Sequence, residues 1–114
     1  MHTIGKHFLL DLKECSENVL DDLEFLKTAL SEVLNDTQGG TLGESFHHFT
    51  PQGVSGLVLA SGSHICIHTW PEYGYAAVDI FTNIESFNPS EAAQLIIDKL
   101  GSKNPSIVEL TRGA

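Results

Sequence analysis

Positive charge is scarce in this chain: six lysines and arginines stand against fifteen aspartates and glutamates, for a net charge of −9. That balance disfavours a nucleic-acid partner, whose phosphates need a cationic surface, and makes a neutral or cationic small molecule easier to accommodate. Cysteine is nearly absent. Cys15 and Cys66 are too few for a disulfide scaffold and fit a reducing compartment, where each reads by default as a small buried residue. No apolar run approaches membrane-spanning length and no basic segment leads into one, so the expected location is the cytoplasm, with no membrane partner. Linkers, repeats and low-complexity stretches are also missing. At 114 residues and 41% hydrophobic content, the chain predicts one domain with a modest core that oligomerisation would extend.

What is present is strongly patterned. Residues 3 to 12 end in an apolar run and predict a first strand. Cys15-Ser16 then offers a helix cap, and Val19, Leu20, Leu23, Leu26, Leu30, Val33 and Leu34 recur at three- and four-residue steps. They form the stripe of one amphipathic helix, which should stop before the turn-rich residues 35 to 40. Thr41 to Phe49 predicts a second strand, Pro51-Gln52-Gly53 a turn, and Val54 to Ala60 a third strand. Further on, Asn88-Pro89-Ser90-Glu91 joins a capping side chain, a first-position proline and an acidic first turn, so a second helix opens there with Leu95, Ile96 and Leu100 on its buried side. Gly101 ends it, and residues 106 to 111 form a last strand. The expected class is α+β, a two-layer sandwich in which two helices cover one face of a largely antiparallel sheet.

Between these elements, residues 61 to 83 gather His64, His68, Glu72, Asp79, both tyrosines and the only tryptophan. Polar and apolar residues alternate from Ser63 to Trp70, Pro71-Glu72-Tyr73-Gly74 has turn chemistry, and a second run covers Tyr75 to Thr82. That is a hairpin. His64, Cys66 and His68 on one strand face are metal-ligand types, but no matching second pair exists, His47 and His48 being adjacent and therefore on opposite faces. No metal site is expected, and a structural hairpin is the plainer alternative.

The dipeptide Gly62-Ser63 suggests something sharper. A serine after a flexible glycine can attack the carbonyl of its own preceding peptide bond and convert it to an ester. A base that removes the serine α-proton then drives elimination, leaving a dehydroalanine that hydrolyses to ammonia and a pyruvoyl group. His68 is the candidate base, histidine being the side chain most often used for proton removal.

Ser63-His64, Ile67-His68-Thr69-Trp70-Pro71-Glu72-Tyr73-Gly74-Tyr75-Ala76-Ala77-Val78-Asp79 and Phe81-Thr82 resemble the signature of the small prokaryotic S-adenosylmethionine decarboxylases, which make their own pyruvoyl cofactor. Weaker resemblance runs through Gly5-Lys6-His7, Cys15, Phe46-His47, Phe49, Pro51, Gly53-Val54-Ser55-Gly56 and Val108-Glu109. The resemblance implies that Ser63 becomes the pyruvoyl group, that Ser55 and His68 assist processing, and that Phe49 and Glu72 hold the nucleoside by stacking and ribose hydrogen bonds. It also implies a homodimer of protomers cleaved into residues 1–62 (beta chain) and 63–114 (alpha chain), feeding spermidine synthesis.

Two positions depart from the family pattern. Gly62 stands where the family has glutamate; Gly-Ser is also the cleavage dipeptide of the aspartate decarboxylases, which are similar only in chemistry, so self-cleavage is retained. Asn83 stands where the family has the cysteine that protonates the substrate α-carbon, and a carboxamide has no proton to give. That loss keeps two alternatives in view: a pyruvoyl-dependent decarboxylase of ornithine or arginine, and a non-catalytic relative that binds a ligand or partner subunit.

Overall fold

Six strands form one antiparallel sheet in the computed structural model, which describes residues 4–38 and 40–113. In chain order the elements are β1 (Gly5–Lys13), α1 (Glu17–Leu20), α2 (Leu23–Gln38), β2 (Gly43–His48), β3 (Val54–Ala60), β4 (Ser63–Trp70), a 3₁₀ turn (Pro71–Tyr73), β5 (Tyr75–Thr82), α3 (Pro89–Leu100) and β6 (Asn104–Arg112). Strands β2 to β5 run as a meander. β1 then pairs with β5 and β6 closes the other edge, giving the order β2-β3-β4-β5-β1-β6.

The expected class holds, and α2 and α3 lie side by side on one face. Alternation along each strand sends Phe8, Leu10, Leu12, Val58, Ile65, Ile67, Val78 and Ile80 to that face, where they meet Leu26, Leu30, Val33, Leu34, Ile96 and Leu100. Burying each such leucine or isoleucine contributes about 1.5–3 kcal/mol, so this layer supplies most of the driving force for folding. The other face carries His7, Ser55, His64, Cys66, His68 and Asp79, with Leu57, Leu59 and Trp70 more than a third exposed. No helix of the described residues covers it.

The first helical segment differs from expectation. It is two helices, because Asp21 and Asp22 interrupt it: Asp21 Oδ1 accepts the Gly53 N–H at 2.9 Å and sits 2.8 Å from His48 Nε2, while Asp22 Oδ1 accepts the Phe25 N–H and so caps α2. Ser16, the expected cap, stands before α1 but makes no side-chain cap bond. α2 continues to Gln38, past the expected stop before Asn35, since Val33 and Leu34 anchor its last turns in the core. Asn88 caps α3 as expected, accepting from Glu91 N–H at 3.1 Å, and Gly101 ends it at φ 68°. The expected start of β1 at Thr3, and Gly39 in the turn after α2, lie outside the described residues.

Candidate active site

The residues singled out by the sequence fall into two groups at opposite ends of β4. The first is built on the β3–β4 pairing, whose register sets Ser55 opposite His68 on the open face. Ser55 Oγ and His68 Nδ1 are 2.7 Å apart. With the proton on Nδ1 and donated to Ser55, Nε2 is left as a free base, the tautomer that abstraction needs. Next to His68, Thr69 points into the core: its hydroxyl donates to Leu20 C=O at 2.7 Å and accepts the Val54 N–H at 2.8 Å, fixing the ends of both strands against α1.

Phe49 and Glu72 belong to this same end. Phe49 follows β2, donates its N–H to Gly53 C=O at 2.8 Å and stands edge-on to His47 with ring centres 4.5 Å apart. Its ring is 48% exposed, which leaves a face free for stacking. Glu72 lies exposed in the 3₁₀ turn. The two turns touch, since a Cβ on Gly53 would meet Thr69 C=O at 3.2 Å and Pro71 Cδ at 3.9 Å.

The second group surrounds Ser63, the first residue of β4. Its side chain is 2% exposed and faces the helix layer, where Ser63 Oγ donates to Thr82 Oγ1 at 2.8 Å. Thr82 Oγ1 also accepts the Ile84 N–H at 3.0 Å, so two donors hold it as an acceptor. Gly62 has φ +78°, a conformation that glycine adopts without the Cβ penalty. The carbonyl of Gly62, the one that Ser63 would attack, accepts the Asn83 N–H at 2.9 Å. Beside it opens a pocket of about 460 Å³ lined by Lys6, Thr82, Asn83, Ile84 and Glu85, among others.

These groups do not meet within one protomer. Ser63 and His68 are five residues apart on one strand, roughly 16 Å at about 3.3 Å per residue, and the odd spacing turns their side chains to opposite faces. Ser55 lies with His68, and Gly62 and Asn83 lie with Ser63.

Between the groups the open face is electrostatically tuned. Burial and then nearby His7 lower the His64 pKa, while Asp79 opposes them, and the ring stacks on Phe81 at 5.6 Å. Burial, then Asp79, raises the Cys66 thiol, so it stays protonated at neutral pH. Tyr75 donates to Asp11 and is pushed up to about 12, first by that hydrogen bond. His47 lies against Phe49 and His48 against Asp21. Among the described residues no group of three or more His, Cys, Asp or Glu is placed to hold a metal ion.

Sequence reasoning quoted Thr82 as part of a motif but gave it no role, although it is the partner of Ser63. The signal was available, since a hairpin pairing Trp70 with Tyr75 puts Thr82 opposite Ser63.

Comparison with known proteins bears on this geometry. Residues 6–113 match the family model for S-adenosylmethionine decarboxylase. A protein named S-adenosylmethionine decarboxylase proenzyme from Thermodesulfovibrio yellowstonii is 46% identical over 113 residues, 99% of this chain and 84% of that one. One of the same name from Prochlorococcus marinus is 46% identical over 109 residues, 96% of this chain and 89% of its own. The crystal structure of the adenosylmethionine decarboxylase from Aquifex aeolicus superposes with a TM-score of 0.92 at 31% identity, covering 100% of this chain and 94% of that one. A Trypanosoma brucei AdoMetDC monomer shares the fold alone, at TM-score 0.66 and 18% identity over 91% of this chain and 45% of its own.

Proposed function

The chain belongs to the S-adenosylmethionine decarboxylase family, and we propose that it cuts itself between Gly62 and Ser63 to make the pyruvoyl group with which it works. It is a carboxy-lyase acting on S-adenosylmethionine, in the service of polyamine synthesis. The observation that carries the self-cleavage is the state of one peptide bond: a left-handed glycine, a carbonyl already hydrogen-bonded by Asn83 N–H, and a buried serine hydroxyl next to it.

The chemistry balances without an external reagent other than water. Ser63 Oγ bonds to the Gly62 carbonyl carbon, the Gly62–Ser63 C–N bond breaks, and the hydroxyl proton ends on the freed nitrogen. A base then takes the Ser63 α-proton, the Cβ–Oγ bond breaks, and Gly62 leaves as a carboxylate. Hydrolysis of the resulting dehydroalanine releases ammonia and leaves residues 1–62 and 63–114 as separate chains, of 62 and 52 residues (114 − 62).

The surroundings fit that group, since Thr82 Oγ1 and the Asn83 backbone lie at the position and the side chain there is shielded from water. When present, it supplies a carbonyl that withdraws electrons as carbon dioxide leaves. The protein's own work is then positioning. Phe49 would stack on the adenine, Glu72 would accept hydrogen bonds from the ribose hydroxyls, and position 83, beside the Gly62–Ser63 bond, is where a proton donor would serve the reacting carbon.

We place the working site between two protomers. A base is needed at Ser63, yet His68 is a strand-length away in the same chain. Because the Ser63 side chain leans to the helix side, its Cα–H leans to the open face. Two open faces related by a two-fold axis bring the His68 end of one against the Ser63 end of the other, twice, and they cover the exposed Leu57, Leu59 and Trp70 at about 25 cal/mol per Å² of apolar surface. Intact-mass measurement tests the chemistry: fragments of 62 and 52 residues, the shorter lacking an amine, are expected from the parent and none from Ser63→Ala. A full-length parent after prolonged incubation would refute self-cleavage.

A further inference from the structure

Of the steps in self-cleavage, the first has all its machinery inside one protomer. We propose that Thr82 and the Asn83 backbone amide are the positioning groups for the acyl shift, the hydroxyl holding the Ser63 nucleophile and the amide holding the carbonyl that it attacks. This rests on the self-cleavage proposed above.

Two contacts carry the inference. Ser63 Oγ donates to Thr82 Oγ1 at 2.8 Å, and the Ile84 N–H, held on the same oxygen at 3.0 Å, leaves Thr82 facing the serine as an acceptor. The nucleophile is thereby fixed in one rotamer, with its proton directed away from the lone pair that attacks. The second contact is the Asn83 N–H on Gly62 C=O, 2.9 Å long. As Oγ bonds to that carbon, the carbonyl oxygen gains negative charge, and a donor already in place stabilises it without reorganisation. Both groups come from consecutive residues at the end of β5, paired with the start of β4, so the hairpin register alone assembles them. The Ser55 and His68 of the same chain lie at the other end of the strand.

The inference separates two blocked states. Hydroxylamine splits an ester but not a peptide bond, so His68→Ala should stall as the ester and yield 62- and 52-residue fragments when hydroxylamine is added. Thr82→Val should stall earlier: single-turnover cleavage slows by about 10²-fold, the scale of a misplaced nucleophile, and hydroxylamine releases no more than it does from Ser63→Ala. Thr82→Ser should restore near-parent cleavage, which a purely structural role for the threonine methyl would not allow. Asn83→Pro, lacking the N–H, should slow by about 10²–10³-fold, the cost of one oxyanion donor. Melting of each variant in a Ser63→Ala background checks folding, and should Thr82→Val not fold, Thr82→Ser and Asn83→Pro decide. The inference is overturned if folded Thr82→Val cleaves at the parent rate or accumulates hydroxylamine-sensitive ester, or if Thr82→Ser and Asn83→Pro fold and behave oppositely to these expectations. A parent that never cleaves would instead remove the self-cleavage reading itself.

Discussion

Asn83 Oδ1 lies so near Gly62 that a Cβ on residue 62 would clash with it. The two positions at which the resemblance marks a departure from the family pattern are thus neighbours, and glycine at 62 makes room for the carboxamide. Ile84 Cδ1 closes the rest of the space, at 2.7 Å from the same point.

The first expectation is therefore non-additivity. Gly62→Glu alone should fold poorly or lose cleavage by about 10²-fold, since the clash displaces the scissile carbonyl. Gly62→Glu with Asn83→Cys should recover part of it, since the carboxamide is gone while the positive φ of residue 62 and the Ile84 side chain remain. A coupling energy of about 0.5–3 kcal/mol from the double-mutant cycle is expected for residues in contact, and additive effects would show that the two departures are independent.

Asn83→Cys also restores a proton donor beside the reacting carbon. A general acid is worth about 10²–10⁴ in rate, so kcat on S-adenosylmethionine should rise by that order, while ornithine and arginine stay unreactive. An unchanged kcat would mean that another group protonates the product.

Much of this was legible in the chain. The hairpin from Ser63 to Thr82 was readable to the residue because its alternation and its Pro-Glu-Tyr-Gly turn agree, and the Asn88-Pro89 cap was readable for the same reason. The break at Asp21-Asp22 was not, because the apolar stripe runs on through it. What breaks the helix is the pull of Gly53 N–H and His48 on Asp21, both more than 25 residues away. Likewise, the distance from Ser63 to His68 follows from their spacing on one strand, but that Ser55 joins His68 and not Ser63 is visible only once the β3–β4 register is known.

Phe49 and Glu72 should affect substrate and not processing. Phe49→Ala removes a stacking face worth about 1–3 kcal/mol, so KM should rise by about five- to 150-fold with self-cleavage at the parent rate. Glu72→Gln should raise KM by a smaller factor. If either variant instead blocks cleavage, the residue belongs to processing.

The lowered His64 pKa has a consequence for stability. A histidine that resists protonation when folded binds fewer protons than in the unfolded chain, so its contribution is full above about 6.5 and declines as pH falls through that value toward the folded pKa. Ser63→Ala, which stays intact, should melt at progressively lower temperature as pH drops from 7 toward the folded pKa, and adding His64→Gln should reduce that slope. An equal slope in both proteins would assign the effect to other groups.

The central claim is that the base for Ser63 comes from a second protomer, and mixing two inactive chains tests it most directly. Ser63→Ala keeps His68 but has nothing to cleave; His68→Ala keeps Ser63 but lacks the base. Co-refolded in equal amounts, the pair should process the His68→Ala chain into 62- and 52-residue pieces with a pyruvoyl end, without hydroxylamine, although neither does so alone. If the His68→Ala chain stays unprocessed in mixed dimers, while the parent cleaves, the base acts within its own chain and the two-protomer site is wrong.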